Sequence, residues 1–154
     1  MKLLLMIFTL FLTTSFSAYA QTIDLPAEDA YAAAIEQILD MDGIPSFRDA
    51  ELLLIKTDPI PMKLNSAQVD CGSMFGIPYI KDKRTKTAVA YKIRIKKAED
   101  NTSDIDVDIT IDGYMDVNEN APFFVDKTRD KSKTLTCKSK GILEEDFVAD
   151  LIKE

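Results

Sequence analysis

The 154-residue chain contains no histidine and no tryptophan. Without imidazole there is no Ser-His-Asp or Cys-His arrangement, no HExxH zinc site and no imidazole acid-base pair. Cysteine is nearly absent too, and the two that occur, Cys71 and Cys137, lie far outside the C-x-x-C spacing of a thioredoxin-type redox pair. The five glycines build no phosphate-binding loop. Basic residues are outnumbered, 19 against 26 acidic for a formal net charge of −7, which argues against nucleic acid as a partner. Carboxylate or lysine chemistry is what remains for catalysis, for instance a hydrolase working through Asp106 or Asp116. The sequence offers no support for it, so the expectation is a protein that is not an enzyme and carries no cofactor.

Long apolar runs are missing as well, apart from Leu3 to Leu12 in "MKLLLMIFTLFLTTSFSAYA". One basic residue, a short apolar stretch and a small-x-small ending at Ala18 and Ala20 read as a secretory signal peptide over residues 1–20. A membrane-crossing helix needs roughly 20 apolar residues, so no spanning segment is expected. Residues 21–154 then form one domain, periplasmic or secreted, and no cysteine follows the cleavage point to carry a lipid. Export brings Cys71 and Cys137 to a compartment where a disulfide persists, and their pairing is expected to be structural. On the chain-entropy model such a closure stabilises the fold by about 4 kcal/mol.

Periodicity supplies the elements. "LPAEDAYAAAIEQILDMDG" predicts a first helix with Tyr31, Ile35, Ile38 and Leu39 on its buried face. A turn at "GIPSF" is followed by a strand, "ELLLIKT", and by a weaker one in "SAQVDCG". The clearest signal is a β-hairpin of "TAVAYKIRIKK" and "SDIDVDITIDG", in which apolar residues alternate with Lys92, Arg94 and Lys96 on one strand and with Asp104, Asp106 and Asp108 on the other. Both apolar rows face the same way only if opposed residue numbers sum to an even value, as for 94 with 106 or 94 with 108. "KSKTLTCKS" gives a last strand, and "GILEEDFVADLIKE" a closing helix burying Leu143, Phe147, Val148, Leu151 and Ile152. The expected architecture is a two-layer α+β domain, an antiparallel sheet of about five strands with both helices on one face.

The loop "GSMFGIPYIKDKRTK" places Phe75, Ile77 and Tyr79 beside basic residues. Such side chains usually fold back over the core edge; exposed, they would mark a partner surface, with Ile77, Tyr79, Lys81, Phe123 and Phe124 as candidates. "MDVNENAPFF" is similar to the DxNDNxPxF linker motif of cadherin repeats, which makes Asp116, Asn118 and Asn120 calcium candidates. As an EF-hand loop the stretch fails, with Ala121 at position six and Lys127 at position twelve, so no specific metal site is expected.

"VDCG" followed by "TCKSKGILEEDFVADLI" resembles a group of small exported bacterial domains, often lipoproteins, in which a Cys-x-Ser-x-Gly-x-Leu-Glu segment introduces the last helix. Their arrangement is similar to the domains of BamC. The matching positions are Cys71, Gly72, Cys137, Ser139, Gly141, Leu143 and Glu144. The resemblance implies a non-catalytic envelope protein that works through its surface, with another envelope or secreted protein as partner. An inhibitor or immunity protein whose acidic surface meets a basic target is the next expectation.

Overall fold

A computed structural model describes residues 19–99, 101–116 and 132–153. In chain order these form β1 (Tyr19–Ile23), α1 (Ala27–Asp40), β2 (Pro45–Asp49), β3 (Leu54–Thr57), β4 (Ile60–Pro61), β5 (Val69–Asp70), β6 (Ser73–Met74) and β7 (Ile77–Pro78). A 3-10 turn (Tyr79–Lys81) then leads into β8 (Thr85–Lys97), β9 (Ser103–Met115), β10 (Lys133–Thr136), β11 (Lys138–Ser139) and α2 (Ile142–Leu151).

The β8–β9 hairpin is the spine. Its register pairs Arg94 with Asp106 and Lys92 with Asp108, the even-sum alignment that alternation demands. Val89, Tyr91, Ile93 and Ile95 of β8 and Ile105, Val107 and Ile111 of β9 are therefore buried together, while Lys92, Arg94, Lys96, Asp104 and Asp112 lie exposed. Lys92 and Asp108 approach to 3.8 Å across the exposed face. A solvated pair of this kind adds little stability but disfavours a register slip.

Each hairpin strand has 13 residues, roughly 40 Å of edge. That length lets two short strands lie end to end on each flank. β1 pairs Ser103–Val107 and β10 pairs Asp112–Met115 along the outer edge of β9. β3 and β4 divide the outer edge of β8, and β2 closes the sheet beside β3. The sheet is thus five strands wide but contains seven, which corrects the expected count of about five.

Two further expectations change. "GIPSF" is not a turn: Pro45–Asp49 is an edge strand with a bulge between Pro45 and Phe47, a place where proline's missing N–H is tolerated. The strand in "ELLLIKT" begins only at Leu54, because Asp49 Oδ1 accepts from the backbone N–H groups of Glu51 and Leu52 and ties those residues into a turn. Tyr19 and Ala20, assigned above to the signal peptide, pair with Val107 and Asp106 in β1. Gln21 to Ile23, which cleavage at that point would retain, carry the remaining pairs, and Thr22 Oγ1 donates to Asp104 Oδ1 at 2.6 Å.

Both helices cover the apolar face of this sheet. α1 buries Ala27, Ala30, Ala34 and Ile38, so a stripe of small side chains lets its axis approach β8 closely. Tyr31 and Ile35 flank that stripe half-buried, and Leu39 is turned out at 55% exposure, contrary to the expected face. α2 buries Leu143, Phe147, Val148 and Leu151 as expected; Ile152 caps the helix and is 55% exposed. Gln37 Nε2 donates to the Phe147 carbonyl at 3.0 Å and ties the helices, while the Tyr91 and Phe147 rings meet at 5.3 Å. No helix among the described residues is long and apolar enough to cross a membrane.

Candidate functional site

The site is built outward from the disulfide. β5 and β11 pair Val69 with Ser139 and Asp70 with Lys138, and Lys140 N–H donates to the Gln68 carbonyl at 3.0 Å. Cys71 and Cys137, 66 residues apart, are brought together at the end of this short ladder and bonded. A Cβ at Gly113 would lie 2.7 Å from the Cys137 sulfur and 2.9 Å from the Leu135 Cβ. Glycine there lets β9 accept the bridge against its backbone.

The segment that introduces α2 is equally specific. Gly141 has φ of 91°, a conformation that strains any side chain, and it forms the N-cap. Its N–H donates to Ser139 Oγ at 3.0 Å, and the Ser139 hydroxyl donates to Glu144 Oε2 at 2.6 Å. Glu144 is buried, so this relay supplies the partner its carboxylate needs. Every position of the Cys-x-Ser-x-Gly-x-Leu-Glu pattern thus has a structural task here: bridge, relay, left-handed cap, core and buried acceptor.

Two residues past Cys71 the chain leaves the domain as a small hairpin, β6–β7, with Met74 paired to Ile77. Phe75 (φ 52°) and Gly76 (φ 79°) form its two-residue turn, and both sit in the left-handed region that a type I′ turn requires. Glycine adopts it freely and asparagine readily; phenylalanine does so at a cost. The ring is 97% exposed among the described residues, with Met74 at 53% and Ile77 at 65% beside it. The expectation that Phe75 and Ile77 fold back over the core edge is therefore incorrect. A two-residue turn leaves too little chain for its tip to return to the sheet.

Tyr79 behaves differently. Its N–H donates to the Gly72 carbonyl at 3.0 Å and closes the hairpin's base, and Lys133 Nζ donates to its hydroxyl at 2.7 Å while lying 4.3 Å from the ring centre. It is a half-buried pedestal. The following residues line an open groove of about 670 Å³, floored by Met62, Leu64 and Ile80 and rimmed by Lys63, Lys81 and Lys83. Asp82 adds no net negative charge to this rim, since Arg84 Nε and Nη2 donate to its two carboxylate oxygens at 3.0 and 2.7 Å. Those bonds hold the Asp82 carboxyl down at about 2.

No protein-family model matches the chain, and no curated protein matches it.

The structure places the candidate residues unequally. Ile77 and Lys81 are exposed on the hairpin and groove, and Tyr79 supports them. Phe123, Phe124, Asn118 and Asn120 lie outside the described residues. Asp116, the remaining calcium candidate, is half-buried at the end of β9, with its N–H donating to the Arg84 carbonyl at 3.4 Å. Among the described residues no three histidine, cysteine, aspartate or glutamate side chains converge on a point where a metal ion would fit. Asp106, paired with Arg94 in mid-strand, stands ten residues from Asp116 along an extended chain, roughly 30 Å. Met74 and Lys63 were not anticipated. The sequence "MFGI" hides the hairpin, because the two-residue turn signals are Asn-Gly, Asp-Gly or Gly-Gly and phenylalanine is unfavourable at the first position.

Proposed function

We propose that the chain is an exported, non-catalytic interaction module of the cell envelope that docks through the loop spanning residues 73–86. The observation that carries this is the exposed Met74, Phe75 and Ile77 tip, mounted on a base fixed by the Cys71–Cys137 bridge and the Tyr79 to Gly72 hydrogen bond. A rigid mount lowers the ordering cost of binding, and contiguous exposed apolar residues are the usual mark of a contact surface. Export is supported by the disulfide and by the apolar leader.

The test is a photo-crosslinking residue at position 75 in the native host, compared with one at position 36 on the outer face of α1. Adducts concentrated at 75 support docking through the hairpin; none at 75, or equal yields at both, overturn it.

A second reading, an inhibitor with an acidic binding face, is supported by the helices. Glu28, Asp29, Glu36, Asp40, Glu145, Asp146 and Asp150 are all exposed, and neither helix contains a lysine or arginine. Crosslinking at 36 to a basic hydrolase, with loss of that enzyme's activity, would favour it.

A further inference from the structure

We infer that the hairpin tip and the basic groove together dock on the surface of an anionic lipid bilayer. This rests on the 73–86 loop being the docking element, and it names what the loop docks on.

Two apolar features in this region, the tip and the groove, share the cations Lys81 and Lys83. At the tip, three apolar side chains project from a segment followed by "KDKRTK", in which four of six residues are basic. In the groove, a floor of Met62, Leu64 and Ile80 is rimmed by Lys63, Lys81 and Lys83. Apolar surface with cations at its margin is what the boundary between acyl chains and anionic headgroups accepts: the apolar part enters the hydrocarbon and the ammonium groups stay at the phosphates.

Shape favours a bilayer over a protein. Protein hot spots sit at the centre of a broad patch whose surround excludes water. Phe75 is instead the apex of a two-residue turn, 97% exposed, with only Met74 and Ile77 as apolar neighbours on the hairpin. A lipid layer closes around such a point, whereas a protein would need a matching socket. Charge placement agrees. The chain as a whole is at −7 and would be repelled by an anionic membrane, yet residues 81–86 carry four cations against one aspartate, and with Arg84 spent on Asp82 the three lysines give the segment its net positive charge. The approach is therefore oriented, with this loop foremost.

The experiment is flotation of the disulfide-intact protein with vesicles of phosphatidylcholine alone and of phosphatidylcholine mixed with phosphatidylglycerol. Wild type should float only with the mixed vesicles, and less at high salt. The double variant K81Q/K83Q should weaken binding about twenty-five-fold, at about fivefold per lysine. F75N should weaken it on the order of tenfold through lost apolar insertion. All three positions are exposed, so circular dichroism and thermal melts should show both variants folded. Equal flotation with both vesicle types, flotation unaffected by the variants, no flotation, or saturable binding of free glycerol phosphate without vesicle binding would each overturn the inference. In any of those cases protein adducts at position 75 would still support the interaction module proposed above.

Discussion

At the scale of single residues, Phe75 presents the sharpest conflict between folding and surface chemistry. A left-handed backbone costs an L-residue roughly 1–2 kcal/mol, and the exposed ring recovers none of that by burial. Replacing it by asparagine, which tolerates the same φ, should raise the free energy of unfolding by about 1 kcal/mol in a denaturant titration while weakening docking on the order of tenfold. Tyr91 gives a second prediction. Burial pushes its phenol up to about 12, with the negative charges of Glu144 and Asp146 adding to the effect. The folded state favours the neutral ring, so this contribution is whole below pH 10, where an unfolded tyrosine ionises, and is lost as pH rises to 12. Two units correspond to about 2–3 kcal/mol, and Tyr91→Phe should be spared about that much of the alkaline destabilisation between pH 10 and 12. Which residues point outward was only partly legible. The period of α1 marks Leu39 and Ile38 as equally apolar neighbours, and only packing of the alanine stripe on β8 decides that Ile38 goes in and Leu39 out.

At the scale of elements, the parity of the β8–β9 register was contained in the alternation, because any odd-sum pairing turns one apolar row into water, while the choice of 106 over 108 opposite Arg94 was not. The strands around it were less legible. β4, β5, β6, β7 and β11 have two residues each, too short to show a period, and their existence depends on the neighbour they pair with. β1 was hidden for a different reason, since the same residues satisfy the small-x-small pattern of a leader and pair with β9. The disulfide was legible from compartment and spacing; that it lies directly behind the exposed hairpin was not. Cys71→Ser with Cys137→Ser should lower unfolding free energy by about 4 kcal/mol and should make residues 73–78 the first site of proteolytic cleavage. Glu144→Ala leaves the Ser139 hydroxyl without its acceptor at the entry to α2, and calorimetry should record a loss of about 1–3 kcal/mol.

At the scale of the whole molecule, composition reports a net charge but not its distribution. The acids of α1 and α2 occupy the helical layer, the hairpin charges face one another across β8 and β9, and Lys81, Lys83 and Lys86 line the groove on the loop that carries the apolar tip. A sequence of −7 therefore folds into a body with one basic, apolar-tipped end. The chain contains no tryptophan, so F75W installs a single reporter at that end. In the free protein its indole should emit at the wavelength of a fully hydrated side chain and be quenched by acrylamide as freely as a model peptide. With phosphatidylglycerol-containing vesicles the emission should shift to the blue and the quenching should fall. Blue-shifted, protected emission in the free protein would mean that the tip folds back onto the core, and would contradict the account at its centre.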